Sequence, residues 1–261
     1  MRADKASFTA RRVAAQRARL QRPCTPEGRP EAEQRLHDGL RSAWTFTALD
    51  SGRMRNRTRW FDDAVLDAIS GGVTQVVILG AGYDGRALRF AQSGVRWIEV
   101  DHPATQADKR RRVEALGVPL PHLSFVAVDL IHDDLDAALR RARHDDREAT
   151  LFISEGLLGY LPLETVQSLF ALLGRRATAD SRLAANFRIY DPTAGLGAIG
   201  RSVVDGILSF VGEHRLTTFQ SGQPEELLAE AGWTTIRSEV SDRTRTDGGS
   251  YGYLVLATPA I

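Results

Sequence analysis

The chain has 261 residues, enough for one α/β domain with an added helical segment, and its 43% hydrophobic and 26% charged residues are those of an ordinary globular protein. A net charge of +1 gives no global reason to bind nucleic acid, and no run of 18 apolar residues is present to span a membrane. The single cysteine, Cys24, excludes an internal disulfide and a cysteine-based metal site, and with the absence of an apolar leader it points to a cytoplasmic protein.

Residues 1–70 read as helical, with a Pro/Gly break over Arg22–Pro30 and amphipathic stretches at Glu31–Leu49 and Thr58–Ile69. Arginines are dense here (Arg11, Arg12, Arg17, Arg19, Arg53, Arg55, Arg57, Arg59) and are expected to form a solvated helix face. After Gly71-Gly72 the character changes. Strand-like runs at Thr74–Leu79, Trp97–Val100, Ser124–Val128, Leu151–Ser154 and Leu183–Ile189 alternate with helical patterns at Gly85–Gln92, Ala104–Leu116, Leu135–Arg143, Leu163–Ala177 and Gly195–Phe210. Such alternation calls for a mostly parallel sheet with helices on both faces. One more helical pattern, Pro224–Ala231, precedes Thr234–Val240 and Tyr251–Ala257. Only the polar loop Ser241–Ser250 separates those two strands, which permits an antiparallel hairpin but no parallel crossover. The expected architecture is α/β, a Rossmann-like seven-stranded sheet ending in an antiparallel hairpin, with residues 1–70 as an N-terminal helical lid and 71–261 as the ligand-binding core.

Gly80-Ala81-Gly82-Tyr83-Asp84-Gly85 follows the first strand and opens a helix. Glycines there let the chain turn tightly and let a ligand approach the backbone. The pattern is common to dinucleotide binders and methyltransferases. Asp101 ends the second strand, where a carboxylate can accept both ribose hydroxyl protons or cap the next helix. Asp129 closes the third strand and Glu155 the fourth. In open α/β sheets ligands bind beyond the carboxyl ends of the strands, so all four motifs converge on one crevice. Three acidic positions suit hydroxyls, an adenine amine and an ammonium group, and suit the pyrophosphate of NAD poorly.

The ordered set of motifs resembles the leucine carboxyl methyltransferase family, which includes bacterial O-methyltransferases of natural-product pathways. It comprises Arg57-Thr58-Arg59-Trp60-Phe61-Asp62-Asp63, the glycine loop through Arg86, Val100-Asp101-His102-Pro103 with Lys109, Val128-Asp129-Leu130 and Ser154-Glu155-Gly156-Leu157-Leu158 with Tyr160-Leu161-Pro162. It covers about residues 55–235. The resemblance implies a class I methyltransferase that uses S-adenosylmethionine and needs no metal. Arg57 would pair with the methionyl carboxylate of the cofactor, with Gly80 and Gly82 along the methionine portion. Asp101 would hold the ribose, Asp129 and Leu130 would flank the adenine, and Glu155 would face the methionyl ammonium. Family members usually have Thr where this chain has Gly85 and Met where it has Gly159; both changes shrink side chains beside the cofactor or acceptor.

The expected reaction is O-methylation of a carboxylate or hydroxyl on a small natural-product-type acceptor. An anionic carboxylate needs no base, whereas a hydroxyl would be helped by one; Tyr160, His214 and Glu213 are candidates, and Arg188, Tyr190 and Arg201 are candidate acceptor contacts. The rival readings are an NAD-linked oxidoreductase and a non-catalytic relative that binds S-adenosylmethionine. Nucleic-acid and membrane partners are not expected, and a homodimer stays open.

Overall fold

A computed structural model of the chain describes residues 7–40, 51–190, 216–242 and 250–260. The helical pattern at Gly195–Phe210 therefore falls outside the described residues, as do Glu213, His214 and Arg201.

Seven strands form one sheet: β1 (Gln75–Leu79), β2 (Arg96–Asp101), β3 (Leu123–Ala127), β4 (Thr150–Ser154), β5 (Arg182–Tyr190), β6 (Trp233–Asp242) and β7 (Ser250–Pro259). Their order across the sheet is β3-β2-β1-β4-β5-β7-β6. The first five run parallel, and β7 lies antiparallel between β5 and β6. The expected terminal hairpin is present, with its second strand inserted next to β5.

The β-branched run Val76-Val77-Ile78 makes β1 the buried centre of this sheet. Side chains alternate across a strand, so Val77 and Leu79 join the core on one face while Val76 and Ile78 join the core on the other. The first face is covered by α6 (Leu135–Arg141), α7 (Leu163–Arg175) and α8 (Gln223–Glu230). The second is covered by α3 (Ser51–Ser70), whose Phe61, Val65 and Ile69 recur at four-residue spacing and point inward together. Pro103 opens α5 (Pro103–Glu114), and His102 is its N-cap, its ring accepting the Ala104 N–H; Asp101 is thus not the cap.

Among the described residues two helices precede α3: α1 (Phe8–Arg17) and α2 (Pro30–Asp38). The segment joining them is pinned to α4 (Arg86–Arg89) and its C-terminal flank by Arg29 N–H to Leu88 O at 2.8 Å and Thr25 Oγ1 to Ala91 O at 2.6 Å. The helix expected over Gly85–Gln92 is accordingly confined to α4. The arginine-rich face is not uniformly solvated either. Arg17 is 5% exposed, and the Arg22 side chain is 3% exposed, because carboxylates from the core surround both.

Candidate functional site

A cavity of about 620 Å³ lies beyond the carboxyl ends of the parallel strands, where the order reverses between β1 and β4. Arg57, Gly80, Gly82, Asp101, Asp129, Leu130, Glu155 and Tyr160 all line it, so every described cofactor and catalytic candidate meets in one place, whereas Tyr190, expected as an acceptor contact, is not in its wall. Arg188 lines it as well.

The glycine loop is shaped by left-handed backbone. Gly80 has φ +62° and Gly82 has φ +49°, a region that L side chains rarely adopt. Space is also closed there. A Cβ on Gly80 would lie 2.9 Å from Leu157 Cδ1, and one on Gly82 would lie 2.8 Å from Ala10 Cβ. The loop is fixed from β2: Asp101 Oδ2 accepts the Gly82 N–H at 2.5 Å, while Oδ1 accepts the His102 N–H at 2.7 Å. Each carboxylate oxygen keeps a second lone pair, which can take a hydroxyl proton from the cavity. Burial raises the Asp101 pKa, against the lowering effect of those two amides.

Beside β3, Asp129 Oδ1 accepts the Ile131 N–H, and Oδ2 stands 3.8 Å from His102 Nε2. This leaves the Asp129 carboxylate at the wall of the cavity.

The opposite end is dominated by guanidinium groups. Glu155 receives Arg17 Nη2 at 2.5 Å, Arg57 Nε at 2.9 Å and Arg86 Nη1 at 2.8 Å. Burial alone would raise its pKa, but Arg17, Arg86 and Arg57 outweigh that and hold it at about 2. Arg86 and Arg17 also share Asp84. Asp62 joins Arg86 to Arg22, and Glu33 joins Arg22 to Arg89. A chain of paired charges thus runs from the cavity wall into the packing of α1 and α2. Arg17 Nε is buried without a hydrogen-bond partner among the described residues.

Sequence reasoning missed Arg17, Asp84 and Arg86, and the network around Asp62 and Glu33. A signal for α1 was present: Ala10, Ala14 and Arg17 share one helix face, and small side chains there allow close approach to Gly82. Pairings such as Arg22 with Asp62 leave no local mark. Gly85 is also placed differently from the expectation. It does not line the cavity, and a Cβ there would run into the Glu33 side chain. Its small size accommodates α2 and not a ligand. Gly159 does line the cavity.

The leucine carboxyl methyltransferase family profile matches residues 9–174. The chain belongs to that family. A relative from Mycolicibacterium paratuberculosis, provisionally named an S-adenosyl-L-methionine-dependent methyltransferase, is 34% identical over 228 residues, covering 77% of this chain and 72% of the relative. Another from Mycolicibacterium gilvum with the same provisional name is 42% identical over 133 residues, covering 50% of this chain and 43% of the relative. The alignments to the first curated relatives thus span about half of their length. Among solved structures, a provisionally named methyltransferase from Thermobifida fusca superposes with a TM-score of 0.61 at 14% identity, covering 99% of this chain and 96% of that one. This last likeness concerns the fold, a class I methyltransferase sheet. Family membership replaces the nicotinamide-dependent alternative. No helix among the described residues is long and apolar enough to cross a membrane.

Proposed function

We propose that this chain is an S-adenosylmethionine-dependent methyltransferase that transfers a methyl group to a carboxylate or hydroxyl oxygen of a small organic acceptor. The observation that carries the reading is the convergence of the family's motif residues on one cavity at the strand-order reversal. Names of the relatives support it.

The residues present fit the cofactor. Gly80 and Gly82, both in the cavity wall, are assigned to the methionine portion. Asp101 is assigned to the ribose hydroxyls, Asp129 and Leu130 to the adenine, Arg57 to the methionyl carboxylate and Glu155 to the methionyl ammonium. A guanidinium is well shaped for a carboxylate. The cofactor, when bound, supplies an activated methyl on a sulfonium.

What the chain contributes is alignment and exclusion of water. α1 lies across the cavity with Ala10, Arg12, Val13, Gln16 and Arg17 in its wall, and we assign residues 1–70 to a lid over the core of residues 71–261. Tyr160 reaches the cavity and is our candidate to orient the acceptor. His214 is the second candidate, from the segment beyond β5. A carboxylate acceptor arrives already anionic and requires neither as a base. We place the enzyme in the cytoplasm on its single cysteine, and natural-product biosynthesis is the setting we favour for it.

The test is turnover of S-adenosylmethionine in the presence of panels of carboxylic acids and phenols, with products read by mass spectrometry. A methyl-bearing product that disappears in Asp101→Ala supports the reading. Saturable cofactor binding with no product across both panels would favour a non-catalytic relative.

A further inference from the structure

Among the described residues five glycines line the cavity: Gly80, Gly82, Gly156, Gly159 and Gly252. Four of them are glycine for a local reason. Gly80, Gly82 and Gly156 have left-handed backbone, with φ of +62°, +49° and +73°, and at Gly252 a Cβ would strike Ser241 Oγ. Gly159 differs. Its backbone lies outside the left-handed region, and among the described residues an added Cβ would meet only Thr217 O at 3.5 Å, an ordinary van der Waals distance. Its carbonyl accepts the Leu216 and Thr217 N–H groups at 2.8 and 3.3 Å, contacts that any residue could make. Nothing in its backbone or in its packing against the described residues therefore demands glycine, and what the residue contributes there is space.

Apolar side chains contribute to the wall of that cavity. Leu157, Leu161 and Phe187 line the same cavity. Among the described residues, the large hydrophobic residues that stand exposed are Ile131 at 42%, Leu216 at 55% and Ile236 at 52%. Ile131 and Leu216 also line this cavity, so its wall carries apolar surface left in water, as expected of a surface that a ligand covers.

We propose that Gly159 is the specificity-determining position of the acceptor pocket, kept without a side chain to admit a bulky apolar acceptor of more than one ring. The proposal rests on the methyltransferase reading for the word acceptor. The space and its lining stand without it.

The experiment compares wild type, Gly159→Ala and Gly159→Leu. Binding of benzoate, 2-naphthoate and anthracene-2-carboxylate is titrated with and without saturating S-adenosylhomocysteine, and melting curves are recorded alongside. Wild type should bind the three-ring acid at least tenfold more tightly than benzoate. Gly159→Leu should weaken the three-ring acid at least tenfold while leaving benzoate and S-adenosylhomocysteine within about twofold; Gly159→Ala should fall between. If Gly159→Leu does not fold, the graded loss in Gly159→Ala decides. Equal affinities for all three acids in wild type, or no size-dependent loss in the variants, overturns the proposal. A wild type that fails to bind S-adenosylhomocysteine overturns the methyltransferase reading instead, and the acids titrated alone still report on Gly159.

Discussion

Arg17, the last residue of α1, places Nη2 2.5 Å from Oε1 of Glu155, at the C-terminal end of β4. The contact joins the first described helix to the centre of the sheet across 138 residues of sequence. Arg17 Nη1 lies 3.0 Å from Asp84 Oδ2, so one guanidinium spans the glycine loop and the fourth strand.

Removing one partner of a buried ion pair costs about 3–5 kcal/mol. Glu155 keeps Arg57 and Arg86, so Arg17→Met should lie near the lower end, about 3 kcal/mol by chemical denaturation. Arg59→Met is the control. Its pair with Asp63 is 3.9 Å long with Arg59 82% exposed, and its loss should cost less than about 1 kcal/mol. Equal costs for the two would show that burial of the Arg17 pair contributes nothing.

Gly85→Ala should destabilise the fold by about 1–3 kcal/mol through overpacking against Glu33. Glu33 is 1% exposed and paired with Arg22 and Arg89, so it cannot move aside cheaply. Cofactor affinity, measured on the folded fraction, should stay within about threefold, since Gly85 is not in the cavity wall. A large loss of affinity without loss of stability would return Gly85 to the ligand.

Two buried histidines should lower stability as pH falls from 6.5 toward 4, opposed by Glu99, whose pKa burial raises to about 7. Burial lowers the His37 pKa to about 4, against the opposing pull of Glu33 and the Tyr83 carbonyl; its Nε2 sits 3.0 Å from that carbonyl oxygen. In the unfolded chain the imidazole takes a proton near pH 6.5. Its stabilising contribution is therefore full above about pH 6.5 and is lost as pH falls toward 4, on the order of 3 kcal/mol. His144, also lowered to about 4 by burial first and Arg176 second, adds in the same direction. His37→Gln should clearly reduce the loss of stability between pH 6.5 and 5. An unchanged slope would place a charged His37 in the native state.

The sheet was legible because its signals are local. Val76-Val77-Ile78 declares a buried strand, the glycine loop its turn, and the short polar loop Ser241–Ser250 an antiparallel pair. The cavity followed from topology, since Asp101, Asp129 and Glu155 each end a parallel strand. Which carboxylate meets which arginine was not legible. Arg17 and Arg59 look alike in an arginine-rich helical stretch, and only packing separates a residue 5% exposed from one 82% exposed. Likewise Gly85 and Gly159 both read as missing side chains beside a ligand, yet one faces Glu33 and the other the cavity.

A ligand that binds only the folded state stabilises it by mass action. S-adenosylhomocysteine at one hundred times its dissociation constant should add about 2.7 kcal/mol. Because α1 supplies part of the cavity wall, the same ligand should slow tryptic cleavage after Arg12 and Arg17. Ligand stabilisation with unchanged cleavage would separate α1 from the binding site.

The most direct test is calorimetric titration of wild type and Asp101→Ala with S-adenosylmethionine and, separately, NAD. Asp101 both fixes Gly82 and faces the cavity, so melting curves must accompany the titration. Saturable binding of S-adenosylmethionine to wild type, weakened at least tenfold in a folded Asp101→Ala and matched by no binding of NAD, is the expected result. Binding of NAD in its place, or S-adenosylmethionine affinity indifferent to Asp101, would contradict the account.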